Sequence, residues 1–267
     1  MGKGHPFFEV FSSAVRENYR FPILEIFAFL YALGTFVLAG LTTFDVQATE
    51  IFAYTMVSSL SGLPLFIFLI LLLVNIAYGL GNDIEKGVIQ TLLSYPLKRR
   101  SILSAKLLSA LGIALLVFLG LQLFAFYVLA PEVMARYFST VLLSYLAVLS
   151  PFFLVAGIVL LLTLAIRRGG LALVFGIVFY FAFGIITSIL SFLAYFAGSD
   201  IVFRVYAVIS PSVALGRYYS GASPSPFGGT FWVPSFSEVL LYLGAAYGIV
   251  LFVFLLAYIY FDRRLGI

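Results

Sequence analysis

Asp83-Ile84-Glu85-Lys86-Gly87-Val88-Ile89-Gln90-Thr91-Leu92-Leu93-Ser94-Tyr95-Pro96-Leu97-Lys98-Arg99-Arg100 is the densest charged stretch in a chain that is otherwise mostly lipid-soluble. Asp83 is placed to cap a short helix by accepting a bond from a free N–H of its first turn. Ile84, Val88 and Leu92 recur at i, i+4 and i+8, with Ile89 and Leu93 beside them, and together give one apolar face. Glu85, Lys86, Gln90 and Thr91 fall on the other faces. Pro96 biases Tyr95 away from the helical region and ends the element. Three consecutive cations follow, and Ser101 is placed to cap the next helix. The spacing therefore predicts a short amphipathic helix over 83–95. Such a helix can do little chemistry, but it makes a good mechanical contact for a soluble partner.

What lies on either side belongs in a membrane. The chain has 267 residues, 63% hydrophobic and 10% charged. A soluble domain is roughly half apolar and a quarter charged. Long gaps between ionisable residues predict six membrane-spanning helices, at about 23–43, 57–81, 107–130, 141–166, 171–196 and 238–261. The fold class expected is an all-α integral membrane protein, with 1–267 as a single transmembrane domain. Twelve Lys and Arg residues collect at one set of helix ends and three (Arg136, Arg204, Arg217) at the other. By the positive-inside rule, the opening stretch and both termini face the cytosol, at the plasma membrane. The net charge of +4 is accounted for in the same way, with lipid as the anionic partner and no role for nucleic acid.

The first apolar run lacks the pattern of a cleaved secretory signal and is expected to remain in the mature protein. Residues 5–20 read as an amphipathic helix lying in the interface plane. Phe7, Phe8, Phe11, Val15 and Tyr19 share one side; Glu9, Ser13, Arg16 and Arg20 share the other. Pro64 and Pro151 fall inside the second and fourth spans, and Gly176 and Gly184 in the fifth favour close helix contact. Before the last span, 201–210 is apolar apart from Arg204, Pro211 ends it, and a second short segment runs to Tyr219. Both are too short to span and suit re-entrant or interfacial helices. Trp232 is placed as an interface anchor.

Several chemistries are missing from the sequence. No G-x-x-x-x-G-K-[ST] phosphate loop occurs, and no H-E-x-x-H; the single histidine, His5, is nearly terminal. With no cysteine, disulfides and thiolate ligands are excluded. No catalytic residue, metal ligand or cofactor site is expected on this chain. Ser109, Ser144, Ser188 and Ser191 suit hydrogen bonding between helices. Glu25, a turn into the first span, is expected to reach the interface or pair with a nearby cation. A pathway through these helices would have aromatic and aliphatic walls, which suits a hydrophobic or amphipathic cargo.

The opening stretch resembles the cytosolic loop between the second and third spans of ABC-2 type permeases, the membrane subunits of one class of ATP-binding-cassette exporter. In that family the loop reads as an acidic residue, a cation, Gly-Thr, Leu-Leu, a proline, an arginine three residues on and a lysine seven after that. Glu85-Lys86-Gly87, Leu92-Leu93, Pro96, Arg99 and Lys106 fall at those places. Val88 stands where threonine is common and Gln90 where glutamate is common. The interfacial helix, the six spans and Ser210-Pro211 before the last span agree with the family layout. The resemblance implies a permease that dimerises with a second, identical or different, copy and docks two separate ATPase subunits, which carry the ATP and Mg. Asp83, Ile84, Glu85, Lys86, Gly87, Val88, Leu92, Leu93, Pro96, Arg99 and Arg100 would form the coupling contact, the apolar face seated in a groove of the ATPase. The alternative is a membrane scaffold or assembly factor without transport.

Overall fold

The computed structural model describes residues 6–19, 23–41, 49–93, 98–221 and 231–264. Of these 93% are helical and none is in a strand, so the fold is all-α. The chain opens with α1 (Pro6–Tyr19), which has proline in its first turn, where the missing N–H costs nothing. Its 14 residues reach about 21 Å, short of a hydrocarbon core of about 30 Å. Ala14 and Asn18 are buried against the protein, with Phe7 and Phe11 half-buried on the same stripe, while Phe8 is 65% exposed. The helix is thus held on the bundle by a mixed apolar and polar stripe, with Phe8 and Tyr19 on its free side. After α2 (Ile23–Leu41) comes α3 (Glu50–Leu73), whose Thr49 cap accepts the Phe52 N–H.

The α3 rod does not stop at Leu73. It passes through a π-helical segment, Val74–Leu80, into α4 (Gly81–Glu85), and the 36 residues from Glu50 to Glu85 form one continuous run. A run of that length reaches about 54 Å, well beyond the hydrocarbon core. Lys86 and Gly87 break it. Gly87 adopts φ +72, a left-handed conformation that closes a helix and that a side chain would strain. The short α5 (Val88–Leu93) leaves this elbow at a new angle, followed by the long α6 (Arg99–Leu129).

One-turn α7 (Pro131–Arg136) turns the chain into α8 (Phe138–Ile166), which returns it to the elbow end, and α9 (Gly169–Ala197) leads away again. Two short helices, α10 (Asp200–Ile209) and α11 (Pro211–Ser220), form a cap at the far end before α12 (Phe236–Arg264). Among the described residues, five helical runs are long and apolar enough to cross a membrane; a sixth is reached if α1 and α2, bent by 62°, count together. The helices overrun the predicted spans by up to two turns, because charged residues at the span ends remain helical. Pro64 and Pro151 lie inside α3 and α8 as predicted. Proline at 151 leaves the Ala147 carbonyl without its helical donor, and the Ser150 hydroxyl bonds it instead, at 3.4 Å.

The core runs between α2, α3, α6, α8 and α12. Phe118 sits at its centre, with ring centroids of Phe68 at 5.1 Å, Tyr31 at 5.4 Å and Tyr145 at 6.0 Å. Beside it, Gln122 donates to Thr35 at 2.9 Å and accepts from Tyr145 at 3.2 Å, which ties α2, α6 and α8 by a buried polar thread. Helix α9 is peripheral. Gly176 lets it close onto Val159, as predicted, whereas nothing lies within 4 Å of a Cβ placed on Gly184. Phe181, Ile185 and Phe192 stand more than half exposed along its outer side, as a lipid-facing surface requires.

Candidate functional site

The elbow and the groups that brace it form the most elaborate polar site among the described residues. Asp83 does not cap a helix. It lies inside the continuous α3–α4 run, 6% exposed, and its carboxylate accepts from Lys106 of α6. The same ammonium donates to Glu17 of α1 at 2.9 Å. One cation thus joins three elements: α1, the elbow rod and α6. Asn18 adds a 2.9 Å bond to Ser109, one turn further along α6. Glu17, Asn18, Asp83 and Lys106, with Asn75 of the π segment, border a cavity of about 20 Å³, room for one water. Asn75 is 5% exposed and its Nδ2 has no hydrogen-bond partner among the described residues. A π segment widens the helix locally and is frequent at functional sites.

Backbone contact braces the other side. A Cβ on Gly81 would meet Gly169 Cα at 2.5 Å, and one on Gly169 would meet Tyr78 O at 3.0 Å. Only paired glycines let the start of α9 touch the rod this closely. The elbow is therefore clamped between an ion-paired α1–α6 unit and the first turn of α9.

The predicted contact residues separate into two groups. Ile84 and Leu92 pack against the protein's own core, and Ile89 is 2% exposed within it. The break at Gly87 rotates α5, so that Ile89, not Val88, faces inward, and Val88 stands 40% exposed. The expected single helix with one continuous outward apolar face is thereby corrected: most of that face is already used. Glu85, Lys86, Gln90, Thr91 and Arg100 are exposed and Arg99 is half-buried. Leu93 ends α5, and Pro96 lies outside the described residues.

Ser101 does not cap α6, which starts at Arg99 with Lys98 in the cap position and no side-chain bond there. Two cations in a first turn oppose the helix dipole. The end of α12 answers them: Asp262 takes Arg100 in a bond of 2.7 Å, and its carbonyl faces Arg99 at 3.5 Å.

Other expected roles change as well. Trp232 is 7% exposed, packed edge-on to Tyr242 and under Arg204 at 5.5 Å, so it is a buried part of the cap. Of the four serines, Ser109 and Ser191 bond across helices, to Asn18 and Tyr206. Ser144 and Ser188 instead bond back to carbonyls of their own helices. Glu25 meets the Tyr19 hydroxyl, and its Oε2 is buried without a hydrogen-bond partner among the described residues.

Sequence reasoning missed Glu17, Asn18 and Asn75. A trace of α1's docking was present, since Phe7, Phe11, Ala14 and Asn18 share a stripe at i, i+4, i+7 and i+11, with Glu17 beside it. Among the described residues, no group of His, Cys, Asp and Glu is arranged to hold a metal ion. No protein-family model and no curated protein matches the chain.

Proposed function

We propose that this chain is the permease subunit of an ATP-driven exporter of the ABC-2 type, with the elbow as its contact for a separate ATPase. One observation carries the reading: a single rigid helical run leads from the membrane-crossing part of α3 to an exposed, charged elbow. Force applied at Glu85–Thr91 has a stiff path into the bundle, and the Lys106 ion pairs and the Gly81–Gly169 contact pass it to α1, α6 and α9. A loop on flexible tethers would dissipate it.

The docking chemistry differs from a greasy helix in a groove. Charge pairs from Glu85, Lys86 and Arg100 would set the register, with Val88 as the apolar contact. Two ATPase copies, which carry ATP and Mg, would engage two permease copies from the cytosolic side of the plasma membrane. The agreement of Glu85-Lys86-Gly87, Leu92-Leu93, Arg99 and Lys106 with the family's loop supports the same assignment.

The test is affinity purification of the tagged chain in mild detergent, with identification of co-purifying proteins. Wild type brings down a cassette-type ATPase; Val88→Asp and Lys86→Glu, both at exposed positions, release it while the chain stays folded. Recovery of the intact chain without any nucleotide-hydrolysing partner would overturn the exporter in favour of the scaffold. Leu92→Asp does not serve, because Leu92 supports the core.

A further inference from the structure

A cleft lies between α8 and α9 beneath the cap, with a volume of about 220 Å³. An apolar cavity of about 150 Å³ already admits benzene, so this one has room for an organic group. Its two ends differ. Pro151, Phe152, Tyr180 and Phe183 supply apolar and aromatic walls at the deeper end. At the cap end the lining changes to Thr187, Tyr206, Ser210 and Ser212. Along α9, Thr187 stands about 10 Å beyond Tyr180, at 1.5 Å per residue, so the polar and apolar ends are separated by the length of a small amphiphile.

Among the described residues, no Lys, Arg, Asp or Glu lines this cleft. The cations of the cap are directed elsewhere, Arg204 to Glu238 and over Trp232, Arg217 into an aromatic cluster. The hydroxyls are each engaged once: Thr187 with the Gly184 carbonyl, Ser210 with Ser212, Tyr206 with Ser191. A hydroxyl has one donor and two acceptor positions, so each keeps capacity for another bond. Tyr180 and Gly184 also border a groove of about 570 Å³ along the outer side of α9. The cleft is therefore open to the apolar surroundings of that helix.

We infer that this cleft binds an amphiphile with an uncharged, hydrogen-bonding headgroup, its head among the cap-end hydroxyls and its apolar body against Phe152, Tyr180 and Phe183. Burying a carboxylate or phosphate there would leave a charge with no counter-ion, which selects against anionic lipids. The inference goes beyond the exporter reading, because it concerns binding by this chain alone, whether or not the ligand is moved.

The experiment uses the purified full chain in nanodiscs without any ATPase, so its outcome is separate from that of the docking test. A monoacylglycerol with a diazirine in its chain is photolysed, and the labelled peptides are mapped by mass spectrometry. A fatty acid carrying the same diazirine chain serves as the charged comparison. Labelling should concentrate on residues 148–155 and 180–187 and be competed by unlabelled monoacylglycerol. Gly184→Trp, at a position with open space around it, should abolish the concentrated labelling. Thr187→Val combined with Ser212→Ala should weaken monoacylglycerol labelling about five-fold, the size of one net hydrogen bond, and leave the fatty acid unchanged. Labelling spread along all exposed faces of α9 and α12, or insensitive to Gly184→Trp, would overturn the site. Equal capture of the fatty acid would overturn the headgroup assignment.

Discussion

Among the described residues, Lys106 and Arg217, at opposite ends of the protein, are withdrawn from solvent by opposite means. Lys106, its side chain 11% exposed, is held between the carboxylates of Glu17 and Asp83. Arg217, 7% exposed, lies among rings, with its guanidinium 4.3 Å from the centroid of Phe231 and 5.0 Å from those of Tyr195 and Phe203. The choice of residue fits each setting. A compact ammonium suits two converging carboxylates, whereas a planar, weakly hydrated guanidinium stacks on aromatic faces. The first arrangement is directional and all-or-none in its cation, since removing the shared ammonium strands both carboxylates. The second is graded, because each ring contributes separately. An element that must move as a unit with its neighbours gains from the first; a lid that only has to stay packed manages with the second.

The largest effect should come from breaking the directional site. Lys106→Met keeps the side-chain length but leaves the buried Asp83 carboxylate without its cation and facing the more exposed Glu17. Removing one partner of a buried pair costs about 3–5 kcal/mol. Melting in detergent should fall steeply, and α1 should lose its protection against hydrogen exchange. Adding Glu17→Gln and Asp83→Asn should restore most of the loss, because the neutral triad no longer strands a charge. Failure of that rescue would mean that Lys106 acts through packing.

Next in size is the glycine contact on the other side of the elbow. Gly81→Ala forces a Cβ to within 2.5 Å of the Gly169 backbone, which no rotamer change relieves. Overpacking of this kind costs about 1–3 kcal/mol. Under the proposed function, ATP hydrolysis by the assembled complex should fall further than stability does, because the rod loses its seat on α9. Gly170→Ala, with open space around it in the same turn of α9, is the matched control and should leave both measurements unchanged.

How much of this was legible depended on whether a feature is local. The apolar runs, the two prolines inside helices and the paired short helices before α12 follow from composition and spacing within a few turns, and the structure reproduces them. The ion-paired site does not: Lys106 meets Asp83 across 23 positions and Glu17 across 89, and no periodicity links residues that far apart. Gly87 is an intermediate case. The glycine was visible, but the apolar repeat from Ile84 to Leu92 passes through it and suggested one helix. Both halves do place apolar residues inward, on phases set apart by the break. Arg217 looked like one of three cations at an outer surface, and only the convergence of α9, α10 and the segment before α12 makes it interior.

The smallest effect should be found there. Arg217→Met preserves bulk and most of the ring contact while removing the charge, so the loss is that of cation–π attraction, about 0.5–2 kcal/mol. It should stay local. Hydrogen exchange should rise in α10 and α11, whereas α1 and the elbow keep their protection, the reverse of the pattern expected for Lys106→Met. Arg217→Lys should do no better than methionine despite keeping the charge, since an ammonium gives up more hydration on entering an aromatic cage and cannot stack on several rings at once. If Arg217→Met instead unfolded the chain as completely as Lys106→Met, the cap would have to be counted as a second all-or-none site, and the contrast between the two ends would not hold.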